Sequence, residues 1–280
     1  MSLLNEVKSL LRRYRIIPKK RLGQNFLVNE NILQEMVYYA SLNSKDTVLE
    51  VGAGLGFLTE RLAEKAGRVI AVEIDDKLVR ALRRRLMPYD NVTIIHGDIM
   101  KVKIPQFNKV VSTPPYFISS PLHFWLLNKR FEEAILSFQE EFARRLTATP
   151  GSRDYGRLTV ATYYRAEAEI LRAVPKEAFW PRPKVDSSIV RLKPRNPPFS
   201  VADEKLFFEV VNVIFTQRNK KLRNALIPFF SRFRIPSKDS VKIAEALPFY
   251  ERRPRDLSPE EIGLVVDGIF KELHSMCLIR

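Results

Sequence analysis

The sequence has very few of the residues that build disulfide frameworks or metal sites. It contains one cysteine, Cys277, and three histidines. A single cysteine excludes an intramolecular disulfide and suits a reducing compartment. The histidines, His96, His123 and His274, are scattered without the spacing that is typical of metal ligands, so we expect no metal site.

Long apolar runs are also missing, and no stretch is long enough to span a bilayer. Residues 1–20 have the pattern of a short basic amphipathic helix. Glu6 and the lack of a serine-rich stretch argue against a transit peptide, so we expect a cytoplasmic protein. Because no dimer seam is visible in the sequence, we also expect a monomer.

Acidic residues are scarce relative to basic ones. The 47 lysines and arginines exceed the 32 acidic residues and give a formal net charge of +15. Such an excess favours a polyanionic partner such as nucleic acid over a merely solubilising surface. The basic residues are densest at Arg12–Arg21, Arg80–Arg85, Arg144–Arg157 and Arg218–Arg223. We expect Arg80–Arg85 to be a solvated helix face and Arg218–Arg223 to contact phosphates.

Strand and helix patterns alternate through the first half of the chain, which predicts βαβ units and a parallel sheet covered on both faces. Short apolar, β-branched runs predict the strands, and helical spacing separates them from 57 to 65 and from 76 to 86. The predicted strands are Thr47–Val51, Val69–Glu73, 92–98, Lys109–Ser112 and Ala134–Phe138.

The second half of the chain changes character. Residues 147–156 predict an exposed loop, and strand-like runs return at 158–174 and 187–193. A proline-rich segment then predicts a boundary, which gives an α/β Rossmann-like domain at 1–195, with a basic N-terminal extension, and a small helical domain at 196–280. The predicted helices of that domain are Asp203–Phe215, Lys221–Phe230, Ser240–Leu247 and Pro259–Leu273.

A glycine-rich turn follows the first predicted strand. The segment EVGAGLG places Gly52, Gly54 and Gly56 between a strand and a helix, where glycines let the backbone pass close to a ligand. Glu73 closes the second strand, where a carboxylate can accept hydrogen bonds from both hydroxyls of a ribose. Asp98 ends the third predicted strand, where a carboxylate can accept a hydrogen bond from an adenine amino group. This spacing fits S-adenosylmethionine better than NAD.

The fourth predicted strand ends in Thr113, Pro114, Pro115 and Tyr116. A Pro-Pro-Tyr segment at this position is typical of methyltransferases that act on amino groups. An exocyclic amine is a poor nucleophile because its lone pair is delocalised into the ring, and backbone carbonyls beside the prolines can accept its N–H bonds. Tyr116 can stack on a base flipped out of its helix. Transfer then depends on alignment and electrostatics more than on a strong base.

Taken in order, these motifs resemble the rRNA adenine dimethyltransferase family over nearly the whole chain. The resemblance implies transfer of methyl groups from S-adenosylmethionine to the N6 atoms of two adjacent adenosines in a hairpin loop of small-subunit rRNA, within the immature subunit. The matching segments are KKRLGQNFL at 19–27, VLEVGAGLGFLT at 48–59, EID at 73–75, GDI at 97–99, PYFISSPL at 115–122, FWPRPKVDSSIVRL at 179–192 and FTQRNKKLRNAL at 215–226.

The resemblance also implies roles for individual residues on the cofactor side. Asn25 and Leu27 would contact the methionine part of the cofactor. Glu73 would hold its ribose and Asp98 its adenine. The full set of implied cofactor contacts is Asn25, Leu27, Gly52, Gly54, Glu73, Asp98 and Thr113.

On the RNA side, the resemblance implies that Tyr116 stacks on the target base with help from Phe179. Thr113, Pro114 and Pro115 would complete the catalytic segment. The implied RNA-binding residues of the helical domain are Arg218, Lys220, Lys221 and Arg223.

One segment departs from the family pattern. The family usually has Asn-Leu-Pro-Tyr where this chain has Thr113 to Tyr116. The missing asparagine would receive an N6 proton through its side-chain carbonyl, whereas Thr113 offers a single hydroxyl on a shorter side chain. Pro114 removes a backbone donor and stiffens the turn. Phe117 stands where the family commonly has an amide side chain.

The departure leaves several interpretations open. Backbone carbonyls of Thr113 or Pro114 could do most of the orientation in an active enzyme, which is our first hypothesis. The chain could instead be a divergent member with an altered target or product, or a catalytically weak or inactive rRNA-binding assembly factor. A fourth interpretation is a large-subunit rRNA adenine methyltransferase, whose core motifs are nearly the same.

Overall fold

The computed structural model of the protein describes residues 2–278, and the chain divides into two compact units. Unit 1 comprises the chain up to Ala143 together with Glu167–Pro194, and unit 2 comprises Arg144–Ala166 together with the chain from Arg195 onward. The division therefore differs from a single boundary near 195. Residues 144–166 belong to unit 2 because Tyr155, Val160 and Tyr164 are buried among side chains of the C-terminal helices.

Strands occur only in unit 1, apart from the first residue of one of them, within the described part of the chain. The five predicted strands of the first half are confirmed. The strands are β1 (Phe26–Leu27), β2 (Thr47–Val51), β3 (Arg68–Glu73), β4 (Val92–His96), β5 (Lys109–Ser112), β6 (Glu133–Gln139), β7 (Ala166–Val174), β8 (Phe179–Trp180) and β9 (Ser187–Pro194).

Seven of these strands form one sheet in the order β4-β3-β2-β5-β6-β9-β7. The first five in that order pair in parallel, and β9 is antiparallel to β6. Most residues of the inner strands are buried because helices cover both faces, as parallel sheets require. Strand order reverses between β2 and β5, and in open α/β sheets this reversal creates a crevice at the carboxyl ends of the strands.

The helices pack against this sheet in unit 1 and against each other in unit 2. Within the described residues, none of them is both long enough and apolar enough to cross a membrane. The helices are α1 (Leu3–Arg13), α2 (Glu30–Ala40), α3 (Phe57–Ala63), α4 (Asp76–Arg85), α5 (Ser119–Leu126), α6 (Glu140–Leu146), α7 (Arg157–Arg165), α8 (Glu204–Ile214), α9 (Leu222–Ala225), α10 (Ile227–Phe230), α11 (Ser237–Glu245) and α12 (Pro259–Ser275).

Several helices begin at a side chain that caps them. Asn29 accepts a hydrogen bond from the amide of Ile32 at 3.2 Å at the start of α2. Ser258 and Glu261 form a reciprocal capping box at the start of α12. Such caps satisfy amides that have no partner within the helix and typically contribute about 1 kcal/mol each. They explain why the helices start where they do.

Arg85 departs from the expected solvated helix face and joins three helices of unit 1. Its guanidinium forms ion pairs with Glu6 of α1 at 2.8 Å and with Glu60 of α3 at 2.6 Å. It also lies 3.9 Å from the centre of the Phe57 ring. Only 17% of its side chain is exposed, so this arginine is a structural element and is not available to RNA.

The strand prediction at 158–174 is wrong in its first half, where α7 forms before β7. The segment is rich in β-branched and aromatic residues, which favour strands locally. However, Leu158, Ala161 and Tyr164 recur at helical spacing, and all three are buried. Burial of this face in unit 2 outweighs the local preference. The predicted helix at 221–230 is also divided, into α9 and α10, with Pro228 in the first turn of α10.

Tyr155 connects the first segment of unit 2 to its last. The side chain is fully buried, and its hydroxyl donates a 2.7 Å hydrogen bond to the carbonyl of Leu257. Its ring also packs edge-on against Phe215, with ring centres 5.6 Å apart. We expect Tyr155→Phe to lower the free energy of unfolding by about 1–3 kcal/mol, because the buried carbonyl loses its partner.

Urea unfolding followed by circular dichroism would measure this loss. Tyr38→Phe is the matched control, since Tyr38 is 77% exposed and should change the free energy of unfolding by less than about 0.5 kcal/mol. Equal stabilities of the two variants would contradict a stabilising role for the buried hydroxyl.

Candidate active site

The carboxyl ends of β2, β3, β4 and β5 surround a cavity of about 210 Å³ in unit 1. The cavity brings together every residue that the sequence predicted for the cofactor and the target base. They are Asn25, Leu27, Gly52, Gly54, Glu73, Asp98, Thr113, Pro114, Pro115, Tyr116 and Phe179. These residues could be predicted from the sequence because the carboxyl ends of parallel strands lie at one edge of the sheet.

The glycine turn after β2 adopts a conformation that other residues rarely accept. Gly52, Gly54 and Gly56 have φ values of +79°, +60° and +85°. A Cβ atom on Gly52 would lie 3.0 Å from Cδ of Pro115, so a glycine is required where the two loops touch. The amide of Gly52 donates a 2.8 Å hydrogen bond to the carbonyl of Val72, which holds the turn against β3.

Glu73 at the end of β3 is held by three backbone amides. Gly54 donates to Oε2 at 2.8 Å, while Ile74 and Asp75 donate to Oε1 at 2.9 and 2.8 Å. Burial raises the pKa of Glu73, and these hydrogen bonds oppose the rise. Since a carboxylate has about four acceptor positions, roughly one remains on Oε2. The carboxylate is therefore fixed in orientation with room for one strong bond from a ligand hydroxyl.

Asp98 follows β4 at the opposite end of the cavity from the Pro-Pro-Tyr segment along the sheet order. Its Oδ1 accepts a 3.0 Å hydrogen bond from the amide of Met100. One third of its side chain is exposed, so Oδ2 can still accept a hydrogen bond from a ligand. Gly97 precedes it because a Cβ atom there would lie 2.3 Å from Val102.

The entry loop before β1 is fastened over the cavity by Asp75. This carboxylate is buried, forms an ion pair with Lys19 at 2.6 Å and accepts a 3.1 Å hydrogen bond from Gln24. Burial disfavours its ionised form, but the bonds from Lys19 and Gln24 lower its pKa below the ordinary value. Asn25 is oriented by its bond to the carbonyl of Gly23 at 3.2 Å. Sequence reasoning missed Asp75 and Gln24 because their partners are distant along the chain.

A two-residue ribbon joins the entry loop to the segment that carries Phe179. In this ribbon, β1 pairs antiparallel with β8, so that Leu27 lies opposite Phe179 and Phe26 opposite Trp180. The amide of Val28 adds a 2.7 Å bond to the carbonyl of Ala178. Neither short strand is visible in the sequence, yet the pairing explains how residue 179 reaches the cavity.

Tyr116 and Phe179 form the aromatic wall of the cavity. Their ring centres are 6.5 Å apart and their planes are inclined by 72°. The Tyr116 hydroxyl shares a 2.7 Å hydrogen bond with Ser187, which fixes the ring. Burial raises the pKa of Tyr116, so the phenol stays protonated at neutral pH. A planar base can thus stack on one of these rings, with the edge of the other against it.

Two buried polar atoms in the cavity lack hydrogen-bond partners among the described residues. They are Oε2 of Glu50 and Oγ of Ser137. Burial raises the pKa of Glu50 to about 8, and the nearby charge of Glu73 adds to the effect. Unpartnered polar atoms of this kind are costly unless a ligand or water satisfies them. Together with the open glycine turn, they fit a polar, positively charged cofactor such as S-adenosylmethionine.

The predicted RNA-binding residues lie in unit 2, and three of the four have protein partners. Arg218 donates to the backbone carbonyls of Arg153 and Tyr155 at 2.9 and 2.8 Å. Lys221 pairs with Glu251, and Arg223 pairs with the same carboxylate at 2.8 Å and with Glu245. Lys220 is exposed without an ion pair among residues 2–278.

No group of three or more His, Cys, Asp or Glu side chains within residues 2–278 is arranged to hold a metal ion. The cavity is lined by the glycine turn, by the acidic residues at the strand ends and by the aromatic wall.

Comparisons with known proteins agree with this geometry. The sequence model of the ribosomal RNA adenine dimethylase family matches residues 17–250. A probable ribosomal RNA small subunit methyltransferase A of Methanosarcina acetivorans is 47% identical over 266 residues, which cover 94% of this chain and 98% of the relative. A protein of the same description from Thermococcus kodakarensis is 42% identical over 268 residues, covering 94% of each chain.

Solved structures show the same similarity. A dimethyladenosine transferase from Plasmodium falciparum aligns with a TM-score of 0.75 at 28% identity, covering 88% of this chain and 96% of that one. The 23S rRNA methyltransferase ErmE aligns with a TM-score of 0.65 at 29% identity, covering 88% and 99%. The chain therefore belongs to the ribosomal RNA adenine dimethylase family.

Proposed function

We propose that the protein transfers methyl groups from S-adenosylmethionine to N6 of two adjacent adenosines in a hairpin loop of small-subunit rRNA during ribosome biogenesis. The observation that carries the proposal is the single cavity in which the glycine turn, Glu73 and Asp98 meet Tyr116 and Phe179. The proposed substrate is the immature small subunit, and the proposed working form is a cytoplasmic monomer.

The cofactor supplies a methyl group on a positively charged sulfur, and the residues of this chain orient it. Glu73 accepts a hydrogen bond from a ribose hydroxyl at its remaining acceptor position, while Asp98 accepts one from the adenine amino group. Asn25 and Leu27 of the fastened entry loop contact the methionine part above the turn at Gly52. Backbone hydrogen bonds hold Glu73 and the glycine turn in place before the cofactor binds. Binding therefore costs little conformational entropy at these residues.

The target adenine stacks on the aromatic wall, and its amino group faces the carbonyls of the Pro-Pro-Tyr segment. Tyr116 stays a neutral phenol bonded to Ser187, so it positions the base and does not remove a proton. Since the amine becomes acidic once it is alkylated, its proton can leave to solvent after transfer. The catalytic contribution of the chain is thus alignment of the two reactants.

The relatives favour the small subunit as the target. The proteins named for the small subunit share 42% and 47% identity with this chain, whereas the 23S enzyme shares 29%. Neither the large-subunit alternative nor the inactive assembly factor is favoured, since the small-subunit relatives are named as methyltransferases. Mass spectrometry of small-subunit rRNA after incubation of immature subunits with the protein and labelled cofactor tests the proposal. Large-subunit rRNA and duplex DNA are the controls, and unmodified adenosines would refute it.

Thr113 stands where the family usually has an asparagine, and it makes no side-chain hydrogen bond to the described residues. We expect Thr113→Asn to raise turnover several-fold, because the amide oxygen can reach the N6 proton and favour pyramidal geometry. Cofactor affinity should change little. Single-turnover methylation and cofactor titration separate the two effects, and a flat or reduced turnover would exclude Thr113 as the limiting residue.

Cofactor affinity should rise with pH through Glu50. At pH 6 this carboxyl is neutral because burial raises its pKa to about 8, and ionisation creates a negative charge that attracts the cationic cofactor. Binding then releases a proton, so affinity should increase on the order of tenfold from pH 6 to pH 8. Calorimetric titration of the protein with S-adenosylmethionine at pH 6 and at pH 8 measures this change in affinity. Glu50→Gln should remove most of this dependence, and a slope shared by both proteins would assign it to the cofactor's own titration.

RNA binding by the helical unit depends on how its cations are paired. We expect the triple variant Lys220→Ala, Lys221→Ala, Arg223→Ala to weaken RNA binding and to lower the salt slope by about one per lost phosphate contact. Arg218 is left intact because its bonds to backbone carbonyls hold unit 2 together. Glu251→Gln is the opposing control, since it releases Lys221 and removes one of the two carboxylates paired with Arg223, and it should strengthen binding. An unchanged slope in the triple variant would exclude this surface.

A further inference from the structure

A surface depression lies on the side of β8 that faces away from the active-site cavity, and it has no role in the reaction proposed above. Successive side chains of a strand point to opposite faces. Phe179 faces the cavity of the active site, whereas Trp180 lines a separate depression of about 440 Å³. The depression is formed with the N-terminal segment of unit 1, and Trp180 is only partly buried in it.

Three cations line the depression together with Trp180, and no carboxylate of residues 2–278 lines it. Lys8 places its ammonium 5.8 Å from the ring centre, and Arg12 and Arg15 lie exposed beside it. None of the three forms an ion pair with the described residues. They differ in this respect from Lys221 and Arg223, which form ion pairs with Glu251.

Arg15 occupies a backbone position where glycine is normally found. Helix α1 ends with the amide of Ile16 bonded to the carbonyl of Leu11 at 2.8 Å and that of Arg15 bonded to Arg12 at 3.1 Å. In this type of helix end the residue at the position of Arg15 takes a left-handed conformation, and its φ is indeed +51°. An arginine there is less favourable than a glycine, so the side chain is retained at a cost to local stability.

The neighbouring Ile17 adds an apolar surface, with 82% of the residue exposed. An aromatic ring, unpaired cations and an exposed apolar side chain in one depression match the features that bind single-stranded nucleic acid. Bases stack on the ring, and cations follow the phosphates. Charge complementarity to RNA, and the position of Trp180 next to Phe179 of the target-base cavity, identify a nucleotide of the RNA substrate as the occupant.

We infer that this depression binds the nucleotide next to the target adenosine, with its base on Trp180 and its phosphates against Lys8, Arg12 and Arg15. The inference rests on the proposed function. If two adjacent adenosines react in turn, the second adenosine must lie one nucleotide away from the one in the cavity. Trp180 directly follows Phe179 in the chain, so it can receive that neighbouring base. The two aromatic residues thus separate neighbouring bases onto the two sides of β8.

The two tryptophans of the chain allow a direct test. Trp125→Phe leaves Trp180 as the only tryptophan, and Trp180→Phe leaves Trp125, which packs against Phe107 outside the active-site cavity. A short rRNA hairpin with adjacent adenosines should quench the fluorescence of Trp180 by base stacking. It should leave Trp125 unchanged. Quenching of Trp125 alone, or of neither residue, would overturn the inference.

Kinetics of the full-length protein provide the second arm. Trp180→Leu should raise KM for the hairpin on the order of tenfold, while Trp180→Phe, which keeps an aromatic face, should change it little. Cofactor affinity should be equal in both. Methylation by the unaltered protein tests the proposed function separately, because its absence would refute the reaction, whereas equal KM values in an active enzyme would refute only the nucleotide site.

Arg15→Gly distinguishes RNA contact from a structural role. Glycine suits the left-handed position, so the melting temperature should stay the same or rise, while RNA affinity falls and the salt slope decreases by about one. Unchanged RNA affinity would remove Arg15 from the site. A fall in both stability and affinity would mean that the residue acts through the fold.

Discussion

The active site depends on the hydrogen bonds that Glu73 accepts from its own backbone surroundings. Its carboxylate accepts hydrogen bonds from the amide of Gly54 in the glycine turn and from the amides of Ile74 and Asp75 at the start of α4. Asp75 in turn holds the entry loop through Lys19 and Gln24. Two acidic residues at one strand end therefore organise three separate chain segments. The same bonds limit Glu73, which retains about one free acceptor position instead of two.

The positively charged side chains of this protein are not all equally available to bind RNA. Arg85, Arg218 and Arg223 are each engaged by carboxylates or carbonyls of the protein. By contrast, the cations beside Trp180 form no ion pair with the part of the chain that the structure describes. A net charge predicts the class of partner, but only the pairing pattern indicates where that partner can bind. Ion pairs of this kind are invisible in sequence because their members are far apart.

The sequence predicted the parallel sheet and the cavity residues well, because both depend on local patterns. β-branched runs ending in glycine or an acidic residue reveal strands and their ligand-facing ends without knowledge of the rest of the fold. The prediction failed where packing decides the outcome. Residues 158–165 have strand-like composition but form α7 because one face is buried in unit 2. Ser187, Asp75 and the β1–β8 ribbon were missed because each depends on a contact between segments distant in sequence.

The β1–β8 ribbon links two functions that the sequence places more than 150 residues apart. Leu27 belongs to the loop that is proposed to contact the cofactor, and Phe179 belongs to the wall that is proposed to receive the base. Because their strands share hydrogen bonds, neither can shift without displacing the other. Settling of the loop on a bound cofactor would therefore also set the base-receiving wall. This coupling favours an ordered kinetic scheme in which the methyl donor enters before the RNA.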